Sequence, residues 1–142
     1  MPSPARQDFL DAEGLAWLRG DTIPAWTVDL DNDDGTPVDL TGAYIVMDIY
    51  NGIKGSLLAR LRTSGAPAAP GGQPEGTITI TSAANGQATV EQVPPTVTNA
   101  LLASKARRTR VWYTFEITWT TPTPDVVLTP FDGEIEMLPD GT

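Results

Sequence analysis

The chain contains neither cysteine nor histidine in its 142 residues. Without cysteine there is no disulfide framework, no thiol nucleophile and no cysteine-ligated zinc site. Without histidine there is no Ser-His-Asp triad, no imidazole metal ligand and no imidazole proton shuttle. These absences exclude several common enzyme chemistries, and we expect no catalytic site, no cofactor and no metal.

Long apolar runs and positive charge are also scarce. No apolar run approaches the ~18 residues that a membrane span requires, and residues 1–8 lack the basic-then-apolar pattern of a classical signal peptide. The 9 basic and 18 acidic side chains leave a net charge of −9. Because phosphates repel an acidic surface, we expect neither nucleic acid nor a membrane as a partner.

The length suits one domain, which we place at residues 25–142 behind an N-terminal arm at residues 1–24. The arm carries apolar side chains that have to be buried somewhere, namely Phe9, Leu10, Leu15, Trp17 and Leu18. Two interpretations remain open: a strap that closes the core of its own chain, and an exchanged arm that grips a neighbouring subunit.

From residue 25 onward, alternating apolar residues predict short strands. These strands cover residues 25–30, 43–50, 56–62, 77–81, 87–93, 110–120, 125–129 and 132–138. One helix is predicted from Thr96 to Lys105, capped by Thr96 or Thr98. About eight strands with one short helix predict an all-β fold, either an antiparallel β-sandwich or a jelly-roll-like barrel.

Two connections have distinct turn chemistry. Residues 64–76 are rich in proline, glycine and alanine, which predicts an exposed, mobile connection. Asn85-Gly86 is the strongest hairpin dipeptide of the chain and predicts antiparallel pairing of the strands around it.

An aspartate-rich segment at residues 29–34 has the alternation of a calcium-binding EF-hand loop. Asp34, however, stands where that loop requires glycine, and Leu40 stands where it requires a bidentate glutamate. We therefore interpret the segment as a solvated turn in which Asp and Asn side chains bond to their own backbone.

Other short motifs admit plain structural interpretations. Arg19-Gly20-Asp21 matches a cell-adhesion tripeptide, but a turn before the first strand explains it equally well. Glu134 and Glu136 share one face of a predicted strand, where acidic side chains protect an edge against unwanted pairing. The basic cluster at residues 105–110 is interpreted as a helix cap or solvated turn, with protein docking and nucleic-acid binding as alternatives.

The strand at residues 110–120 has two apolar faces. One face supplies the best core candidates of the chain: Val111, Tyr113, Phe115, Ile117 and Trp119. The other face carries Trp112, for which we favour a subunit contact over a sugar-stacking surface shared with Trp26, Trp119, Tyr44 and Tyr50. The candidate partner-contact residues are Phe9, Leu10, Leu15, Trp17, Trp112, Arg107, Arg108 and Arg110.

The order of several short motifs resembles a known group of proteins. Gly20-Asp21-Thr22 precedes the first strand, and Asp39-Leu40-Thr41-Gly42 leads into the strand from Tyr44 to Ile49. Gly86 is followed by Ala88-Thr89-Val90, a helix from Thr96 to Leu102 precedes the Tyr113/Phe115 strand, and Gly133 opens the last strand. Over residues 19–138 this order resembles small β-rich virion proteins of tailed bacteriophages, similar to the N-terminal domain of upper baseplate and tail-fibre attachment proteins.

The resemblance implies a non-enzymatic structural protein of a virion. Its partners would be other virion proteins and copies of itself, and it would be made in the host cytoplasm. The expected role is a tail, baseplate or fibre-attachment adaptor. The alternatives are a capsid decoration or head-fibre protein and, less favoured, a carbohydrate-binding β-sandwich module.

Overall fold

The computed structural model describes residues 16–101, 109–121 and 124–138. The described part is mostly β, with one short helix, and the strands form a mixed, curled sheet that makes half of a barrel. The all-β prediction is therefore confirmed. The strands are β1 (Ala16–Leu18), β2 (Trp26–Asp29), β3 (Ala43–Tyr50), β4 (Leu57–Arg62), β5 (Glu75–Ser82), β6 (Gln87–Val90), β7 (Thr109–Trp119) and β8 (Val126–Leu138), and the helix is α1 (Pro95–Ala100).

The spatial order of the strands is β1-β8-β7-β3-β4-β5-β6-β2. The hairpin at Asn85-Gly86 forms as predicted, with β5 and β6 antiparallel, and β3 and β4 are also antiparallel neighbours. Two pairs, β1 with β8 and β4 with β5, are parallel. The prediction of an antiparallel arrangement was therefore wrong for these pairs. For β4 and β5, the connection between Arg62 and Glu75 is long enough for a crossover without a helix.

One core lies inside the curl of the sheet. The side chains on one face of β3 and β7 fill it, with Ile45, Met47 and Ile49 opposite Ile117, Phe115 and Tyr113. Trp119 differs from the prediction, since it is only partly buried at the edge of the core. The opposite face of β3, β4, β7 and β8, which we call the outer face, carries the intervening residues of each strand.

The last strand is continuous, although the sequence predicted two. In its pairing with β7, Phe131 lies opposite Phe115 and Leu128 lies opposite Ile117. The step is therefore two residues on β7 and three on β8, so β8 has one extra residue here. The extra residue is a β-bulge beside Pro130, where the missing proline N–H costs no ladder hydrogen bond. Because proline ends most strand patterns, its presence suggested a break.

The helix is shorter than predicted. It ends at Ala100, with Pro94 rather than a threonine at its N-cap and no side-chain cap. Thr98 lies inside the helix and is fully buried. Its hydroxyl accepts the Gly20 N–H at 3.1 Å and donates to the Asp21 carbonyl at 2.8 Å, so the turn in the Arg19-Gly20-Asp21 segment is tied to the helix.

The aspartate-rich segment forms the turn expected of it. Asp34 Oδ1 accepts hydrogen bonds from the N–H and the hydroxyl of Thr36, at 3.0 and 2.6 Å. Asn32 Nδ2 donates to the Thr36 hydroxyl and to the Pro37 carbonyl. The hydrogen bonds from Thr36 lower the pKa of Asp34 below its ordinary value.

Candidate functional site, a strand-wide gap in the sheet

The sheet opens at the point where β4 ends. Strand β4 lies between β3 and β5, and its ladder with β5 runs only from Arg60↔Glu75 to Arg62↔Thr77. Its ladder with β3 begins at Val46, although β3 starts at Ala43 and β5 continues to Ser82. Beyond Arg62, the ends of β3 and β5 thus have no β4 residues between them.

The width of this opening, which we call the gap, follows from the spacing of a sheet. Neighbouring strands lie about 4.8 Å apart, so two strands that flank a missing one are separated by about 9–10 Å. A cavity of about 370 Å³ lies here. It is lined by Ala43, Tyr44, Thr63, Ser64, Gly65, Thr77, Ile78, Thr79 and Ile80. The gap is the width of one additional strand.

Thr63 closes one end of the gap. Its N–H donates to the Ile45 carbonyl at 3.0 Å, and its hydroxyl accepts the Ile45 N–H at 3.2 Å. The Ala66 N–H then bonds back to the Thr63 carbonyl, which turns the chain out of the sheet. At the other end, the Leu40 N–H donates to the Ala83 carbonyl. The gap is therefore a bounded slot between two crossing points.

Backbone groups of β5 face into the slot. The Thr77 carbonyl accepts the Glu91 N–H on the β6 side. Because the N–H and C=O groups of successive strand residues alternate between the two sides, Ile78 and Ile80 direct theirs away from β6. The Arg62↔Thr77 register takes up the Ile78 N–H in the β4 ladder, so the open edge of β5 begins at the Ile78 carbonyl and continues to Ile80.

Charged side chains define the path of the connection from residue 63 to residue 74, whose first residues line the gap. Arg60 forms a two-pronged ion pair with Asp48, with its Nε 2.7 Å from Oδ1 and its Nη2 3.0 Å from Oδ2. Its Nη1 also donates to the Pro67 and Ala68 carbonyls, each at 3.2 Å. One guanidinium thus joins the buried Asp48 carboxylate to the crossover.

A second clamp lies next to the first. Arg62 Nη1 donates to the Ala66 carbonyl at 2.8 Å, and its Nη2 lies 3.1 Å from Glu75 Oε1. Glu75 Oε2 accepts the Ala69 N–H at 2.6 Å. The prediction of a connection over residues 64–76 was wrong at its end, because Glu75 and Gly76 belong to β5. Four hydrogen bonds to the charged groups, and one from the Gly71 N–H to the Gln73 side chain, define the path of the connection.

The electrostatics of the clamps match their geometry. The hydrogen bond from Arg62 and then that from the Ala69 N–H lower the pKa of Glu75. The hydrogen bond to Asp48 raises the pKa of Arg60. Burial, followed by the charge of Asp48, raises the pKa of Tyr50, whose hydroxyl donates to Asp48 at 3.2 Å. Because these charged groups pair with one another, their role is to stabilise the crossover and the strands beside it.

The predicted partner-contact residues lie elsewhere. Trp112 is half-buried on the outer face, opposite Tyr50 on one neighbouring strand and Glu134 on the other. Arg110 is exposed there, with its Nη1 3.6 Å from Glu134 Oε1. Both residues are near the Tyr50 end of β3, whereas the gap is at its Ala43 end.

The prediction for Trp17 was wrong. It was proposed as a partner contact, but only 3% of it is exposed, and its ring meets the Trp26 ring edge-on at a centroid distance of 6.1 Å. It therefore packs into the core of its own chain, as the strap interpretation expected. Trp26 is also buried, which removes it from the sugar-stacking alternative. Phe9, Leu10, Leu15, Arg107 and Arg108 lie outside the described residues.

Sequence reasoning missed the gap. The available signal was a difference in length, because the strand pattern before residue 63 stops soon after Arg62 whereas the Thr77–Thr81 alternation continues. That difference has meaning only once β4 and β5 are known to be parallel neighbours, which strand patterns do not reveal.

Among the described residues, no group of three or more acidic side chains is placed to hold a metal ion. No helix in the described ranges is long and apolar enough to cross a membrane. In comparisons with known proteins, no family profile and no curated protein matches this chain.

Proposed function

We propose that this protein is a structural, non-enzymatic subunit of a tailed-phage virion, an adaptor of the tail, baseplate or fibre attachment that works through protein–protein contacts. In this proposal, the gap between β3 and β5 receives an extended segment of a neighbouring subunit. The observation that carries it is the open β5 edge, which faces β3 across a gap that is wide enough for one additional strand. The virion assignment itself depends on the order of motifs over residues 19–138.

An extended polypeptide is the occupant that best fits a slot of this shape. Its N–H and C=O groups alternate at the same spacing as those of the β5 edge, so main-chain hydrogen bonds supply affinity. The clamps of Arg60 and Arg62 fix the crossover beside the gap in advance, which lowers the entropic cost of ordering it on binding. Small hydroxyl and glycine residues at Thr63, Ser64 and Gly65 leave room for the backbone of the incoming segment.

The outer face near Trp112 supplies a second contact in the same proposal. Tryptophan, tyrosine and arginine are the residues that most often dominate interface energetics, and Trp112, Tyr50 and Arg110 lie together there. The sandwich or jelly-roll-like barrel of about eight strands also stays a proposal, since the described strands curl into half of a barrel.

The virion assignment is tested on purified particles of the phage that encodes the chain. We expect an immunoblot of dissociated particles to contain the protein, and immunogold labelling of intact particles to mark the tail or its tip. Label over the head would favour capsid decoration or a head fibre. A negative immunoblot of dissociated particles would contradict the proposal, because dissociation removes any shielding of the epitope.

The gap is tested separately with a matched pair of substitutions. Thr79 and Thr89 lie directly opposite each other on β5 and β6, but only Thr79 lines the gap. We expect Thr79→Trp to block incorporation into particles, and Thr89→Trp to permit it, with thermal unfolding as a check on both folds. Normal incorporation of a folded Thr79→Trp protein would contradict the role of the gap and leave the virion assignment standing.

Glycan binding is the second candidate function, favoured by one observation. Trp112 and Tyr50 are neighbours on the outer face, beside the carboxylate of Glu134. A glycan array probed with the wild type and with Trp112→Ala tests this candidate. Saturable binding that the substitution abolishes would support it, and uniformly flat titrations would remove it.

A further inference from the structure

Two Asn-Gly pairs in this chain have very different surroundings. Asn85-Gly86 joins β5 to β6, and Asn51-Gly52 begins the connection from β3 to β4. Asn-Gly is the sequence in which the backbone nitrogen of the second residue most easily reaches the side-chain carbonyl carbon of the asparagine, because glycine has no side chain to obstruct the approach. The folded structure then decides whether the reaction proceeds.

The nitrogen of Gly86 is held in place. Its N–H donates to the Ala83 carbonyl at 3.3 Å, and its carbonyl accepts the Leu30 N–H at 2.8 Å. A Cβ at this position would lie 2.4 Å from the Leu30 carbonyl oxygen, so the backbone is packed against its neighbour without spare room. The Asn85 side chain is bonded as well, from Nδ2 to the Ser82 hydroxyl at 2.9 Å.

The surroundings of Gly52 are open. Asn51 is exposed, and a Cβ at Gly52 would meet no atom within 4 Å. The turn is closed by bonds from the Asn51 N–H to Ser56 and from the Gly55 N–H to the Gly52 carbonyl. Among the residues that the structure describes, no hydrogen bond engages the Gly52 N–H.

We propose that Asn51 is a site of spontaneous deamidation and that Asn85 is protected by the fold. The Gly52 backbone nitrogen attacks Cγ of Asn51 and loses its proton. The C–N bond of the side-chain amide breaks, ammonia leaves, and a cyclic succinimide remains. Water then opens the ring at either carbonyl, which leaves aspartate or isoaspartate at position 51 without any change of oxidation state.

The modification would alter the Trp112 end of the outer face. Position 51 follows Tyr50 directly, and Tyr50 is the β3 partner of Trp112. Deamidation adds a negative charge there, and the isoaspartate product also adds one carbon to the main chain at the end of the β3–β4 ladder. This inference does not depend on the virion assignment.

The experiment incubates the purified full-length protein at neutral to mildly alkaline pH and follows deamidation by mass spectrometry of tryptic peptides. Cleavage after Arg19, Lys54, Arg62 and Lys105 separates the peptide of residues 20–54 from that of residues 63–105. Fragment spectra then locate the change within each peptide, and an isoaspartyl methyltransferase assay reports the isoaspartate product.

We expect deamidation at Asn51 to be at least about tenfold faster than at Asn85, because the reaction at Asn85 has to wait for local unfolding. The matched control is the same chain in denaturant, where the two rates should converge because both pairs are Asn-Gly. Asn51→Gln should abolish the change in the peptide of residues 20–54. Equal rates in the folded protein, or a folded rate at Asn51 far below its denatured rate, would overturn the proposal.

Discussion

At the scale of single residues, polar side chains of this protein tie distant segments together. Thr98 is the clearest case, because one buried hydroxyl both accepts from Gly20 and donates to Asp21, far away along the chain. Glu75 is another, since its two oxygens join Arg62 to the backbone of the crossover. Such contacts depend on burial and strand register, which cannot be predicted from the identity of a single residue.

The first prediction concerns Thr98→Val. The substitution keeps the volume but removes the hydroxyl, which leaves the Gly20 N–H and the Asp21 carbonyl without this partner. We expect the free energy of unfolding in urea to fall by about 1–3 kcal/mol. Thr96→Val, at an exposed position of the same helix, should change it by no more than about 0.5 kcal/mol. Equal effects at the two positions would contradict the role of this hydroxyl.

The second prediction concerns pH. The folded pKa of Glu75 is lowered, so its stabilising contribution is present above the unfolded pKa and is lost as the pH falls through the folded pKa. Urea unfolding at neutral pH and at about pH 3 should therefore show a smaller acid-induced loss in Glu75→Gln than in the wild type. The variant should still lose some stability in acid, because the pKa values of Asp34 and Asp39 are also lowered. Identical losses would show that Glu75 does not contribute.

At the scale of elements, the crossover between β4 and β5 distinguishes this fold. It joins parallel strands without a helix, and arginine side chains on β4 bond to its carbonyls. Its three prolines each restrict the conformations of the unfolded chain. The gap exists because the crossover leaves the sheet while β3 and β5 continue.

The third prediction is a double-mutant cycle on the clamp. Arg60 and Asp48 expose only 16% and 9% of their side chains, so Arg60→Ala leaves a buried carboxylate without its counter-charge and should cost about 3 kcal/mol. Combined with Asp48→Ala, the loss should be smaller than the sum of the single losses by about 0.5–3 kcal/mol. The measurement is urea unfolding of all four proteins.

The control for this cycle is the exposed pair of Arg110 and Glu134, 3.6 Å apart. Arg110→Ala should cost at most about 1 kcal/mol, because water screens an exposed ion pair. Strictly additive losses for Arg60 and Asp48 would contradict a clamp in which the two groups depend on each other.

At the scale of the whole molecule, the two ends of the described chain meet. Strand β1 pairs in parallel with the end of β8, from Ala16↔Glu136 to Leu18↔Leu138. Trp17 passes from this strand into the core and contacts Trp26. Removing residues 1–24 would therefore remove part of the fold together with the arm, and any loss of assembly would have two causes.

The fourth prediction follows from that packing. Trp17→Ala should lower the free energy of unfolding by about 3–5 kcal/mol, because it empties a large buried volume. Ile53→Ala, at a side chain that is 66% exposed, should stay within about 0.5 kcal/mol of the wild type. An assembly defect of a Trp17 variant with unchanged stability would return this residue to the partner-contact class.

Local sequence patterns were enough to predict the all-β class, the strand from Ala43 to Tyr50, the hairpin at Asn85-Gly86 and the core face of β7 from Val111 to Ile117. These follow from local causes, since alternation with period two places side chains on two faces and Asn-Gly suits the backbone of a tight turn. The folded structure was needed to show that β4 and β5 are parallel, that Trp17 is a core residue and that a gap lies beside Ile80. Those outcomes depend on which distant strands become neighbours and in which register, and strand pairing is a property of the whole packed sheet.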